Sequence, residues 1–367
     1  MSRSFFFAGG GTGGHIYPAI AVAEQIARLD PGARIHFLCS SRPIDSQILG
    51  KAGLQFTALP AQGFSVRPRQ FIRFVSAFRQ SVKVVRGLLA SEDHPVVVGV
   101  GGFAAAPVAW AAHGLSIPLA LINVDIVPGK ANKLISRWAK AIFVQFEDTR
   151  PAFAAYSDRV RVVGCPLRTE FEAPQPDRAR KEIGIDPSKK VLLITGASSG
   201  AQNINQAVCE LLPKMDGLAG QWQIVHLTGM QNLEQVSRRY GQAKIFHKVL
   251  GYYDHMADLY AASDLAVGRS GAVSVAEYAV SGIPSICMPY PYHKDRHQYR
   301  NAGKLVAVGA AVIVDDVPDL TDRVEWLWEE LHDLMVDEDK RREMSQACRE
   351  VAQPKAAERI AGDLLQM

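Results

Sequence analysis

Residues 5–26 read FFFAGGGTGGHIYPAIAVAEQI. An apolar burst, Phe5 to Ala8, runs into five glycines in six positions, then a histidine, then a stretch of helical periodicity. Strand, bare turn and helix in that order form the opening unit of a parallel α/β sheet. Gly9, Gly11 and Gly14 satisfy G-x-G-x-x-G in the context that spacing requires, and glycines there let amide N–H groups approach an anion at a helix N-terminus. The same residues also suit a tight strand-to-helix turn with no ligand at all.

Working outward, short apolar runs alternate with helix-like segments. Strands are expected at Phe5 to Ala8, Arg34 to Cys39, Pro95 to Val100, Pro118 to Val124, Ala141 to Gln145 and Val160 to Val163, with helices such as Pro18 to Leu29 and Phe71 to Leu89 between them. After the polar stretch Glu172 to Pro187 the pattern restarts at Val191 to Thr195, again aimed at a glycine-containing turn, Gly196 to Gly200. Two doubly wound, Rossmann-like parallel-sheet domains in tandem follow, and such pairs hold ligands beyond the carboxyl ends of their strands, in a central cleft.

The totals agree with this reading. The chain has 367 residues, 48% hydrophobic and 21% charged, enough for two ordinary domains. No apolar run approaches the roughly 18 residues of a membrane span, and the start meets glycine too early for a signal peptide, so a cytosolic chain is expected. Cys39, Cys165, Cys209, Cys287 and Cys348 are far apart with no C-x-x-C pair, which argues against a disulfide framework or a thiolate zinc site. Residues 1–165 carry 18 basic against 9 acidic side chains, the remainder 23 against 28. The basic half is suited to an anionic partner.

A nicotinamide enzyme of this pattern holds the ribose diol with a carboxylate at the end of the second strand. Here that strand ends Leu38-Cys-Ser-Ser-Arg42, with Arg42 placed to meet a 2′-phosphate, so an NADP-dependent oxidoreductase stays open on these residues. A second glycine loop, Gly99 to Pro107, follows the strand at Pro95, and two such turns from one sheet could hold the two phosphates of a diphosphate. His15 can accept a proton at neutral pH, donate to a phosphate, or brace the loop. In the second half, Ser270 and Gly271 open a helix that carries Glu277 within two turns: backbone N–H groups for a diphosphate, a carboxylate for ribose hydroxyls. Downstream, Pro291 to Ala302 is dense in hydrogen-bonding side chains, which suits a polyhydroxylated ligand.

Taken together, His15 after Gly-Gly-Thr-Gly-Gly, Gly99-x-Gly-Gly-Phe-x-x-x-Pro107, Pro128-Gly-x-x-Asn132-Lys133, Pro166-x-Arg168, Gly196-x-Ser-x-Gly-Ala201 with Asn205, Arg269-Ser-Gly-Ala272 to Glu277, and His293-Lys-Asp-Arg-x-Gln298-x-x-Asn301-Ala302 resemble the MurG family. These are the N-acetylglucosamine transferases of peptidoglycan synthesis. The resemblance runs in order over nearly the whole chain. It implies a GT-B fold with residues 1–165 as the acceptor and membrane-facing domain, 166–345 as the UDP-sugar domain, and 346–367 as a C-terminal helix packing back on the first domain. It further implies inverting transfer from UDP-N-acetylglucosamine to the C4 hydroxyl of N-acetylmuramic acid on lipid I, yielding lipid II.

Carried over position by position, the resemblance makes His15 and Asp125 the candidate catalytic residues. It gives the donor Thr12, Gly13, Gly14, Arg168, Ser198, Tyr253, Ser270, Glu277, His297, Gln298 and Asn301, and the acceptor Gly10, Gly11, Gly101, Gly102, Asn123 and Asn132. The chain departs from the family where His-Glu-Gln-Asn is usual and Ile122-Asn-Val-Asp125 stands instead, at His297-Gln298 in place of a glutamine pair, and at Ser198-Ser-Gly200 in place of Ser-Gln-Gly. Asp125 would share a face with position 123 in an extended segment and so replace the missing carboxylate. A divergent GT-B paralogue, such as another lipid glycosyltransferase or a UDP-sugar epimerase, is the other enzyme compatible with these departures.

No cofactor and no metal are expected, nor any nucleic acid. Residues 62–90 carry Arg67, Arg69, Arg73, Arg79, Lys83 and Arg86 with no acid, and apolar residues at 71, 74, 75, 78, 82, 85 and 89. That stripe is either sheet-facing core or a peripheral docking face for an anionic membrane, here the cytoplasmic face of the plasma (inner) membrane. Other cell-wall synthesis proteins are the further partners the resemblance implies.

Overall fold

The computed structural model describes residues 3–197 and 200–367. The chain divides into two compact units, Met1–Thr169 with Pro354–Met367, and Glu170–Gln353.

The first unit is built on β1 (Ser4–Gly9), buried at every residue. A strand covered on both faces reads as a continuous apolar run rather than an alternating one, as Phe5-Phe-Phe-Ala8 does. It pairs in parallel with β2 (Arg34–Ser40) on one side and β4 (Pro95–Gly101) on the other. With β3 (Phe56–Leu59), β5 (Leu119–Asn123), β6 (Ala141–Val144) and β7 (Val160–Val162) the sheet has the order β3-β2-β1-β4-β5-β6-β7. Strand β3 escaped the sequence reading because it is four residues long with only Leu59 buried. The connecting helices are α1 (Gly13–Leu29), α2 (Pro43–Lys51), α3 (Pro68–Ala90), α4 (Ala105–Gly114) and α5 (Lys130–Ile135). Helix α1 starts at Gly13, directly on the glycine loop, and Pro18 lies inside it rather than at its start.

The second unit repeats the plan. Helix α6 (Pro176–Ile183) occupies the polar stretch read as a linker, burying Ala179 and Ile183 and ending at left-handed Gly184. Then come β8 (Lys190–Thr195), α7 (Gln202–Met215), β9 (Trp222–Leu227), α8 (Leu233–Tyr240), β10 (Phe246–Leu250), α9 (Met256–Ala261), β11 (Leu265–Gly268), α10 (Ala272–Ser281), β12 (Ser285–Cys287), α11 (His297–Val306), β13 (Ala311–Ile313), α12 (Leu320–Val336) and α13 (Glu338–Val351). The sheet order is β10-β9-β8-β11-β12-β13, all parallel. The last helix, α14 (Ala356–Leu364), belongs to the first unit and packs on α1. All five cysteines are free and buried.

In each sheet the strand order reverses once, between β1 and β4 and between β8 and β11. At such a point the loops leaving the two central strands diverge to opposite faces and open a crevice above the carboxyl ends. In the first unit the two diverging loops are both glycine-rich and touch through backbone. Gly9 stands opposite Gly101 after a register shift at Ala8, and a Cβ on Gly102 would lie 2.3 Å from the Gly10 carbonyl oxygen. Gly102 also has φ +77°, which side-chain-bearing residues rarely adopt.

Behind the second crevice, a buried chain of polar groups links β9, α7 and α8. His226 Nδ1 lies 2.9 Å from the Tyr240 hydroxyl and Nε2 lies 3.0 Å from Asn205 Oδ1, while Asn205 Nδ2 donates to the Thr228 carbonyl. This pattern fits a neutral imidazole with its proton on Nε2, and burial pushes the His226 pKa down to about 3.

Two outcomes follow. Gly102→Ala is expected to lower stability by about 2 kcal/mol or more, whereas Gly129→Ala, with open space around its Cβ, should stay within about 0.5 kcal/mol of wild type. Urea unfolding that ranks the two equally would contradict the close approach. Between pH ~6.5 and about 3 the unfolded chain protonates at His226 and the folded chain does not, so this group's contribution is lost as pH falls, by about 1.4 kcal/mol per pH unit. A His226→Gln variant should show a shallower acid slope by one proton, and an unchanged slope would show that the imidazole is not held neutral.

Candidate active site

In the first unit the expected acceptor glycines come together with three residues expected to serve the donor, Thr12, Gly13 and Gly14. Gly10, Gly11, Gly101 and Gly102 form the paired loops, Thr12 stands just ahead of α1, and Gly13 and Gly14 are its first two residues. Not every amide here is bare. Asp45, fully buried in the first turn of α2, accepts from the Gly11 N–H at 2.8 and 2.9 Å, from the Ser40 N–H at 3.0 Å and from the Ser40 hydroxyl at 2.5 Å. A carboxylate therefore does serve the end of the second strand, contrary to the sequence reading. It arrives from the following helix and faces the loop backbone. Arg42 is likewise turned inward, donating to the Gly11 carbonyl at 3.0 Å with its guanidinium over the Phe103 ring. Neither residue is placed to hold a dinucleotide's ribose or its 2′-phosphate.

His15 sits in the first turn of α1, with Nδ1 3.3 Å from the Thr12 hydroxyl. Burial pushes its pKa below the usual histidine value, opposed by the charge of Asp125, by a hydrogen bond to the Gly10 carbonyl and by Asp45. The imidazole is thus neutral at pH 7, the state that can take a proton. Asn123, the last residue of β5, is hydrogen-bonded within the unit: its Nδ2 donates to the Asp125 carbonyl at 2.7 Å and its Oδ1 accepts from Asn132 Nδ2 at 2.9 Å. It braces the segment that presents Asp125. Asn132 Oδ1 is buried without a hydrogen-bond partner and lies 3.4 Å from the point where a Cβ on Gly101 would sit, with His15 Nε2 3.0 Å from that same point. An unused acceptor and the histidine ring converge on one stretch of bare backbone. Arg168 belongs to this unit too, its guanidinium 4.5 Å over the Tyr17 ring.

In the second unit Glu277 projects from α10 and is only 9% exposed, its carboxylate accepting from the Tyr260 hydroxyl at 3.3 Å. Tyr260 packs its ring against Phe171 and Tyr278. A carboxylate in that setting needs polar partners, and the Tyr260 hydroxyl is one of them. Ser198 lies outside the described residues. Tyr253 donates its hydroxyl to Glu182 at 2.8 Å, so what it offers a base is its backbone. Gln298 Oε1 accepts from the Tyr290 N–H at 2.8 Å, and His297 Nδ1 pairs with Asp295 at 2.7 Å while its ring stacks on His293.

Two of the expected sugar and phosphate ligands are hydrogen-bonded to neighbouring backbone. Ser270 is fully buried with its hydroxyl on the Gln298 carbonyl at 3.0 Å, and Asn301, also fully buried, donates to the Ser270 carbonyl at 3.4 Å. They lock the start of α10 to α11. Dense hydrogen-bonding side chains read alike in sequence whether they hold a ligand or hold one another.

What the crevice loops offer chemically is positive potential. Helices α1, α4, α5, α7, α10 and α11 have no acidic residue in the first turn, and none has a side-chain cap. By contrast α12 and α13 are capped by Asp319 and Asp337 and carry acids in the first turn. Uncapped, acid-free N-termini leave their N–H groups and partial positive charge to an external anion. Asp45, on the glycine-loop backbone, and Tyr260, on the Glu277 carboxylate, are contacts that sequence reasoning missed. An aspartate in a helix's first turn and a tyrosine in an apolar helix are both commonplace, so neither carried a signal.

Comparison with known proteins agrees across the chain. The glycosyltransferase family 28 N-terminal domain matches residues 5–144, and the family's C-terminal domain matches residues 191–360. A UDP-N-acetylglucosamine--N-acetylmuramyl-(pentapeptide) pyrophosphoryl-undecaprenol N-acetylglucosamine transferase of Geobacter sulfurreducens is 33% identical over 364 residues, 98% of this chain and 97% of that one. The enzyme of the same name from Leuconostoc mesenteroides is 36% identical over 314 residues, covering 84% and 85%. Among solved structures, MurG of Acinetobacter baumannii superposes with a TM-score of 0.73 at 25% identity over the whole of both chains. A UDP-GlcNAc 2-epimerase from Neisseria meningitidis, at TM-score 0.68 and 15% identity, shares the fold. The chain belongs to the MurG family of N-acetylglucosamine transferases.

Proposed function

We propose that the chain transfers N-acetylglucosamine from UDP-N-acetylglucosamine to the C4 hydroxyl of N-acetylmuramic acid on lipid I, with inversion, to give lipid II. The observation that carries this reading at the site is the acid-free, uncapped start of α10 followed by the nearly buried Glu277 with Tyr260 on its carboxylate. This is the arrangement a nucleoside diphosphate needs: amides for phosphate and a carboxylate for two ribose hydroxyls.

The chemistry is a direct displacement. The C4 oxygen forms its bond to the anomeric carbon as that carbon's bond to the diphosphate oxygen breaks, and the hydroxyl proton passes to a base. His15, neutral at pH 7, takes that role, with Asp125 stabilising the imidazolium that results. The bonding pair leaves with UDP, and the developing phosphate charge is met by the N-termini of α7 and α10. In this reading Thr12, Gly13 and Gly14 pass from the donor set that the resemblance implied to the acceptor: its pyrophosphate meets their amides and the Gly101-Gly102 turn, since the Gly11 amide is taken by Asp45.

The lipid substrate calls for a membrane-facing surface. Helix α3 divides into two halves: Val85 and Leu89 are core, while Phe71 and Ile72 are exposed beside exposed Phe64 and Val66. Arg67, Arg69, Arg73 and Arg79 are all exposed around them. Apolar side chains ringed by arginines suit an anionic bilayer surface, each cation adding about 1 kcal/mol. No helix among the described residues is long and apolar enough to cross a membrane. Peripheral docking on the leaflet that displays lipid I is the localisation this surface supports.

With UDP-N-acetylglucosamine and a synthetic lipid I analogue, the product should gain one N-acetylhexosamine mass in β-linkage and UDP should appear only when the acceptor is present. Glu277→Ala should raise the donor KM about tenfold or more with a smaller change in kcat. UDP release without acceptor, or an unchanged donor KM in the variant, would contradict the assignment. On vesicles containing phosphatidylglycerol, the Arg69→Glu, Arg73→Glu, Arg79→Glu triple variant should lose most binding while keeping turnover on a water-soluble acceptor. Undiminished vesicle binding would remove the docking face.

A further inference from the structure

Asp316 lies in the loop between β13 and α12, its side chain wholly buried. Three groups from different elements converge on it. Arg269 Nη1 stands 2.8 Å from Oδ2, Arg323 Nε stands 3.0 Å from Oδ1, and Asn203 Nδ2 donates to Oδ1 at 2.8 Å. Asn203 is the second residue of α7. Arg269 is the residue between β11 and the turn that opens α10. Its guanidinium also donates to the Met288 carbonyl at 2.8 Å, and its own carbonyl accepts from the Tyr278 hydroxyl on α10 at 3.1 Å.

One buried carboxylate thus ties the first turn of α7 to the β11–α10 turn, the two uncapped N-termini on either side of the strand reversal. Such N-termini act over a short range, because the field of the dipole fades within the first turn. A diphosphate held by both requires the two turns to keep a fixed separation. Nothing in the stability of the unit demands a carboxylate here, since a buried ion pair rarely outdoes apolar packing. What the carboxylate supplies is geometry.

We propose that Asp316 is a positioning residue for the donor diphosphate, holding the α7 and α10 N-termini in register through Asn203 and Arg269. This rests on the assignment of the UDP-sugar to the second unit. The expected consequence is selective: the phosphate clamp loosens, and the nucleoside end, held by Glu277, does not.

The test compares UDP with uridine. In Asp316→Asn, the dissociation constant for UDP, measured by calorimetry, should rise about tenfold, the equivalent of one charged hydrogen bond, while uridine's inhibition of transfer should change less than about twofold. Asn203→Ala, which removes only the α7 arm and leaves both arginines paired, keeps the test open if the first variant folds poorly. It should show the same split at about threefold. Equal losses for UDP and uridine, or no loss in either variant, would overturn the positioning role. Wild-type protein that binds no UDP would instead overturn the donor assignment beneath it.

Discussion

The carbonyl oxygen of Gly10 sits where any side chain on Gly102 would begin, 2.3 Å from that Cβ position, and the first unit is organised around this approach. It requires two adjacent parallel strands, β1 and β4, to end level with each other and to send their loops to opposite faces. It requires bare backbone on both loops. It also fixes where everything else can stand: α1 begins at once at Gly13, which puts His15 in its first turn, and the His15 ring and the buried Asn132 Oδ1 close on Gly101. The loop is further held from behind by Asp45, which saturates the Gly11 amide. The carboxylate makes the loop rigid and removes one amide from the anion's reach.

The second unit reaches the same end with different means. Its loops are not both glycine-rich, so side chains fix them: Asp316 between Asn203 and Arg269, Ser270 on the Gln298 carbonyl, Asn301 on the Ser270 carbonyl. Asp316 accepts a hydrogen bond from Asn203 on Oδ1, while Oδ2 meets Arg269 as an ion pair without a hydrogen bond. With the loops so held, the N-termini of α7 and α10 stay uncapped and free of acids, and Glu277 lies further along α10.

Much of this was legible in the chain itself. Continuous apolar runs such as Phe5 to Ala8 announce strands covered on both faces, and their restart at Val191 announces a second sheet, because periodicity and turn chemistry are local properties. Glu277 was legible for a similar reason, as one carboxylate in an otherwise apolar helix. What sequence could not display is direction. Asn123, Ser270 and Asn301 are polar residues in the right loops that turn inward, and Asp45 and Asp316 act across 34 and 113 residues of chain respectively. Whether a side chain faces a ligand or a neighbouring loop is decided by tertiary packing. The same limit hid β3, whose four residues are held by β2 rather than by any pattern of their own.

The central claim is that the second unit holds the uridine diphosphate. Amide hydrogen exchange with and without UDP tests it directly on the intact chain. The account predicts slowed exchange at residues 269–278 and in the first turn of α7, with no change at 9–14. Protection confined to 9–14, with 269–278 unaffected, would contradict it.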